Sequence, residues 1–255
     1  MLLTIGRSGA SLSVATRKTS WTFSHIGDYP LFSEVPGIFP EVSAAIAAEA
    51  GGSVDLCLGI SYSEPPSVVS VSPKLRDLEE SQILHCSPEK VVDGWDRGGN
   101  VRLSLVRNPR HPHALAVGVP TQVVTELLTQ ADRSGYRLLR VQSTLANLLS
   151  WAVSTDEVRA GRAHFAAVDH GSVTIVETGP DGEFTRVHFE MDGATQLPEI
   201  LERIAADAPP KPVLLLSATE SDLTGFVPPE GAFKIAFQSA TDRPSHLGAL
   251  CLLAK

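Results

Sequence analysis

From residue 164 onward the rhythm of apolar and polar positions changes three times. Residues 165–168 (FAAV) form a continuous apolar run of the kind that fills a buried strand. Asp169-His170-Gly171 interrupts it, and residues 172–178 then alternate as a second strand. Pro180-Asp181-Gly182 supplies turn chemistry, because proline presets φ and glycine accepts positive φ. Residues 184–190 alternate again, so the stretch predicts a three-stranded meander with a tight bend at Asp169-x-Gly171.

The chain opens with a similar rhythm. Residues 2–5, 10–17 and 20–26 predict three strands, and 27–40, rich in Pro, Gly and aromatics, a loop. The alanine-rich stretch 41–50 predicts a helix stopped by Gly51-Gly52, and 54–60 a buried strand. Residues 61–67, with Pro65-Pro66, form an extended linker. Beyond it come a strand (68–71), a helix opened by Pro73 and running to about 84, a short helix (89–92), and strands at 100–107 and 114–119 around a turn. Pro120 is expected at the first position of a helix to about 133, with Val123, Val124, Leu127, Leu128 and Ala131 on one face. A strand (137–141) and a helix (143–154) with Leu145, Leu148 and Leu149 inward lead to the meander. After it follow a helix (195–208), a strand (213–216), a short helix near Asp222, a strand (234–237) and a final helix from about 245. Residues 1–60 and 164–218 thus share one βββαβ order at negligible identity, and pattern alone suggests two diverged copies of one unit.

Composition narrows the functional classes. The 255 residues, 43% hydrophobic and 20% charged, suffice for a full core. A formal charge of −8 with no basic run argues against nucleic-acid or anionic-membrane binding. Cys57, Cys86 and Cys251 are odd in number and widely spaced, the usage of buried thiols in a reducing compartment. The N-terminus lacks the pattern of a secretion signal, and no apolar run reaches the length of a membrane span. A cytoplasmic protein is expected, with any membrane association made through a partner.

Candidate chemistry concentrates at the bend. Glycine lets backbone N–H groups approach an anion, nearby hydroxyls can donate to phosphate, and a carboxylate at a strand end can hold Mg²⁺ through water. Asp169, Gly171, Ser172 and Thr174 fit that use, as does the first turn Gly6-Arg7-Ser8. Asp and Gly are also ordinary hairpin residues, so a plain turn is an equal reading. Other motifs read more simply. His111-Pro112-His113 lacks a further ligand at metal spacing and is expected to be a surface loop. GWDRGG (94–99) precedes a strand, where a phosphate-cradling loop would precede a helix. Ser8 and Ser172 have no His and Asp in a nucleophile arrangement, and Trp21, Trp95 and Trp151 read as packing.

Two βββαβ units facing one nucleotide are the layout of the actin-like ATPase fold, an α/β architecture of paired RNase H-like units. The segment SVVSVSPKLRDLEESQILHCSPEKVVDGW resembles the small inserted subdomain of PilM-type pilus assembly proteins. HALAVGVPTQVVTELLTQADRSGYRLLRVQSTLANLL resembles that family's return to the core, and AAVDHGSVTIV with FTRVHFEMDG its second phosphate loop and following strand. The resemblance covers essentially the whole chain in element order and extends to the cytoplasmic part of GspL and to MshI-like proteins. GspL-like chains continue into a membrane span, whereas this sequence stops at Lys255, which points to the soluble PilM-like form. The implied organisation is a first RNase H-like unit (1–66), an inserted α/β subdomain with its return to the core (67–143), and a second unit (144–255).

The resemblance implies ATP with Mg²⁺ as the family's ligand, and here the sequence departs from pattern. Thr4 stands where active members end the first strand in aspartate, with Arg7 in the following turn. Ser217-Ala218 replaces the adenosine-binding glycine pair. Only Asp169, Gly171 and Thr174 fit well, so a degenerate site without ATP hydrolysis, a pseudo-ATPase, is expected. The leading expectation is a non-enzymatic scaffold of a type IV pilus or type II secretion platform, with self-association left open. It would bind the cytosolic N-terminal tail of a bitopic inner-membrane protein in a cleft near residues 54–75. The alternatives are an ATPase whose cleft is gated by nucleotide, and a small-molecule kinase using Asp28 or Asp55.

Overall fold

The computed structural model describes residues 2–5, 9–17, 21–30, 46, 48, 55–61, 65–71, 101–169, 172–190, 199, 211–217 and 233–235. Three sheets organise them. In the first, β1 (Leu2–Ile5) runs antiparallel to β2 (Gly9–Arg17) and parallel to β4 (Asp55–Ile60). β3 (Trp21–Pro30) extends the antiparallel side and β8 (Arg137–Ser143) the parallel side, giving the order β3-β2-β1-β4-β8. The second sheet is built from β9 (His164–Asp169), β10 (Ser172–Thr178), β11 (Phe184–Glu190), β12 (Val213–Ser217) and β13 (Phe233–Ile235). Its order β11-β10-β9-β12-β13 repeats that of the first, with the same strand directions around the central strand.

The third sheet, β5-β7-β6, comprises β5 (Ser67–Ser70), β6 (Val101–Arg107) and β7 (His113–Pro120), all antiparallel. It lies in the chain between β4 and β8, and β8 then returns to pair with β4.

Helix α1 (Thr121–Arg133) buries Val124, Leu127 and Ala131, one stripe at helical spacing, while Val123 and Leu128 are half-buried. It stops at Gly135, whose φ of 74° allows the closing bonds Gly135 N–H to Asp132 O and Tyr136 N–H to Ala131 O, each 2.9 Å. Helix α2 (Thr144–Ser154) is apolar almost all round and is buried accordingly. Ser143 caps it, its Oγ accepting from Ala146 N–H at 3.2 Å. Helix α3 (Asp156–Arg159) is a single turn with Thr155 as its cap.

One core unites the second and third sheets. Val106, Leu115 and Val117 of the inserted sheet pack in the same cluster as Leu145, Leu148 and Leu149 of α2 and Phe165, Ala167 and Val176 of the second sheet. Phe165 and Phe184 meet edge to face, ring centroids 6.1 Å apart, a favoured aromatic geometry. The apolar run 165–168 is wholly buried, as its composition implies.

Several boundaries differ from the sequence reading. β3 continues to Pro30, where a loop from residue 27 was expected, because Gly9 and Ala10 of the long β2 pair with Pro30 and Tyr29. A bulge at Leu12/Ser13 absorbs the register change, and a terminal proline forfeits no interior ladder bond. Pro120 ends β7 and stands one residue before α1, its ψ of 127° extended, so the helix begins at Thr121. β8 and β12 run on to Ser143 and Ser217, beyond the expected ends at 141 and 216. α3 has no counterpart in the sequence reading, since one turn is too short to display a period. The expected helices at 73–84, 89–92, near Asp222 and from 245, and the GWDRGG turn, lie outside the described residues. Of the helices at 41–50 and 195–208, only Ile46, Ala48 and Glu199 are described, all helical. No helix among the described residues is long and apolar enough to cross a membrane.

Candidate functional site

The parallel strands of the two five-stranded sheets bring a polar cluster together at their C-terminal ends. Ile60, the last residue of β4, is in register with Ile5 of β1 and with Ser143, the cap of α2. Ser61 follows it, and Asp169 ends β9. The Ser61 hydroxyl donates to Asp169 Oδ1 at 2.8 Å, a contact spanning 108 residues in which both side chains are buried. A buried carboxylate is expensive unless hydrogen-bonded, and this contact helps meet that requirement. Ser172 Oγ donates to the Asp169 carbonyl at 2.8 Å, closing the bend.

Asp169, Ser172 and Thr174 are therefore brought onto one face of β9 and β10. Thr174 pairs with Ala167, and Val176 with Phe165, so this face continues into the apolar core. Thr174 is fully buried, and its Oγ1 has no hydrogen-bond partner among the described residues. Gly6, Arg7, Ser8 and Gly171 lie outside the described residues, as does Ala218. Thr4 pairs through its backbone with Ser11 and Gly59, and Ser217 with Val168. No residue of β1 (LLTI) carries a carboxylate.

The aspartates considered for a kinase are scattered. Asp55 begins β4, and Ser61, which follows the other end of that strand, is roughly 20 Å away at 3.3 Å per residue. Asp28 is on β3, which ends its sheet, opposite Ser11. Asp55 is at the opposite strand end, whereas Asp28, in register through Ser11 and Thr4 with Gly59, lies at the same end of the first sheet as Ile60, three strands away from β4.

A second polar centre fixes the inserted sheet to the second. Asn108, at the end of β6 and 1% exposed, donates through Nδ2 to the carbonyls of Gly182 (3.0 Å) and Arg159 (3.3 Å). Its Oδ1 accepts from Arg110 N–H at 3.2 Å, shaping the hairpin turn. His111 Nε2 lies 2.7 Å from the Asp181 carbonyl oxygen, and His113 Nδ1 lies 2.9 Å from Glu183 Oε1. The stretch 111–113 is at the surface as expected, with Pro112 exposed, and its two histidines also reach the β10–β11 turn. A pattern of turn residues could not reveal its receptor, the β10–β11 turn some 70 positions on. The described residues hold no group of three or more metal-ligating side chains.

Lys211 supports the same turn from below β12. Its Nζ donates to the carbonyls of Thr178 (2.7 Å) and Gly179 (3.1 Å). Desolvation holds its ammonium below the usual lysine range.

No family model matches the chain, and no curated protein matches it in sequence. Solved structures do match in fold. The PilM–PilN type IV pilus biogenesis complex superposes with a TM-score of 0.57 at 13% identity, covering 99% of this chain and 96% of that one. The cytoplasmic domain of EpsL, an inner-membrane component of the type II secretion system of Vibrio cholerae, gives 0.55 at 12% identity, covering 100% and 94%. A Bacteroides thetaiotaomicron protein described as having an actin-like ATPase fold and unknown function gives 0.44 at 11% identity, covering 86% and 81%. The repeated β3-β2-β1-β4 order and the whole-length superposition lead to one conclusion: the chain has the actin-like fold, in the form also taken by PilM and the cytoplasmic domain of EpsL.

Proposed function

We propose that this protein is a non-catalytic, cytoplasmic actin-like scaffold of a type IV pilus or type II secretion platform. It binds the cytosolic N-terminal tail of a bitopic inner-membrane protein, and so works at the inner membrane without entering it. The observation that carries this reading is the whole-length likeness to two such structures, one of them a complex of PilM with PilN. The tail lies in the cleft near residues 54–75. There β5 ends the inserted sheet, offering an edge to which an extended peptide can add as a strand.

The reading needs no nucleotide. β1 lacks a carboxylate for Mg²⁺, the Asp169 carboxylate already accepts from Ser61, and Thr174 is sealed in the core. The test is calorimetry of the purified chain with a synthetic N-terminal tail peptide of a bitopic inner-membrane protein from the same organism's pilus or secretion machinery, run with an ATPase assay. Micromolar peptide binding with no turnover above the protein-free blank is expected. Turnover that rises with added tail would replace the scaffold with a nucleotide-gated ATPase.

A further inference from the structure

We infer that Asp169 is an internal anchor, which holds Ser61 and thereby ties the end of β4 to the second sheet without any bound nucleotide. Three observations converge on this role. The Ser61–Asp169 hydrogen bond, 2.8 Å, joins the residue that follows β4 to the last residue of β9 in a different sheet, with Ser61 8% and Asp169 1% exposed. The preceding Ile60 is locked in register between β1 and β8, so Ser61 has a fixed backbone from which to donate. Asp169 is fixed in turn by its pairing with Ser172 and by the Ser172 hydroxyl on its carbonyl. A hydrogen bond between two immobilised, desolvated groups is made at little further entropic cost.

Ser61 is also where the chain leaves the first sheet for the inserted one, through Pro65 and buried Pro66 into β5. The inserted sheet is itself docked on the second through Asn108 and the shared core. Ser61–Asp169 therefore adds a direct link between the first and second sheets beside the one made through α2, which packs on both β8 and β9. A carboxylate has lone pairs for more than one partner, so a hydrated Mg²⁺ ion on Asp169 would share the group with the Ser61 hydroxyl and weaken that bond by drawing on its charge. This anchoring does not depend on the tail-binding reading.

The experiment is hydrogen exchange by mass spectrometry on the full chain, following peptides that span residues 58–66. Ser61→Ala and Asp169→Ala are each expected to speed exchange there about tenfold, as loss of a buried hydrogen bond implies. The double variant exchanges no faster than either single one, and Ser61→Thr, which keeps the hydroxyl, stays near wild type. Millimolar Mg–ATP leaves the wild-type peptides unchanged. Unchanged exchange in Ser61→Ala overturns the anchor, and that small substitution tests it even if Asp169→Ala fails to fold. Faster wild-type exchange on adding Mg–ATP also overturns it, because nucleotide would then take Asp169 from Ser61.

Discussion

Asn108 lies directly over Gly182, a residue 74 positions later, and the fit depends on the glycine having no side chain. Asn108 Nδ2 donates to the Gly182 carbonyl, and a Cβ on Gly182 would stand 2.8 Å from that nitrogen and run into the Arg159 carbonyl. Gly182 also holds a φ of 83°, which L side chains rarely adopt. Backbone conformation and close approach thus demand the same residue, and the inserted hairpin docks on the result.

Gly182→Ala is therefore expected to cost about 3 kcal/mol, from strained φ and a collision with backbone that cannot rotate away. In a chain of this size that lowers Tm by roughly 6–12 °C. Gly135→Ala is the control. Its φ of 74° is similarly positive, but a Cβ there meets nothing within 4 Å, so about 1 kcal/mol is expected. Equal Tm losses in the two variants would show that the collision with the Arg159 carbonyl adds nothing at Gly182.

Asn108→Ala removes both donations to the turn carbonyls and is expected to cost about 2 kcal/mol. Asn108→Asp should be worse, since it puts a carboxylate oxygen where an N–H₂ faced two carbonyl oxygens. Denaturant melts of the three proteins give the ranking, wild type above Asn108→Ala above Asn108→Asp. An Asp variant as stable as wild type would mean that the docking contact is not formed.

Much of this architecture is legible in the sequence. Residues 172–178 and 184–190 read as strands and form β10 and β11 at those bounds, although their burial does not alternate: Val173 to Val176 are all buried in β10, and only Phe184 in β11. The stripe through Val124, Leu127 and Ala131 likewise announces α1. Features that depend on a distant partner are not legible. The 27–30 stretch looks like a loop until β2 pairs with it, and the contacts of His111 and His113 become visible only when the 180–183 turn meets them. Asp169 stood out by its bend, but Ser61 did not. A serine after a buried strand acquires meaning only when another strand end arrives beside it.

Lys211 carries a pH dependence whose sign follows from its desolvation. Its folded pKa lies below the ordinary lysine value, so between the two the unfolded chain binds more protons at this position. Stability contributed by this group therefore rises with pH through that window, as the penalty on the buried charge is relieved. The difference in unfolding free energy between wild type and Lys211→Met, followed from neutral pH upward, should shift in favour of wild type on the alkaline side. A difference that stays flat or falls there would contradict the desolvated ammonium.

Thr174 offers the sharpest choice between a binding loop and a piece of core. Its hydroxyl is fully buried, on the face that carries Val176 and Ala167, with no hydrogen-bond partner among the described residues. Burying a hydroxyl without a partner costs about 1–3 kcal/mol by protein mutational data. Thr174→Val replaces it with a methyl group of similar size in an apolar setting, and β-branching suits the strand equally well. The variant is expected to be more stable by about 1 kcal/mol, and its Mg–ATP titration should match wild type. A phosphate-binding threonine behaves oppositely, losing nucleotide affinity on this substitution with little gain in stability. One melt and one titration thus decide whether the Thr174 hydroxyl serves a ligand or is merely tolerated by the core.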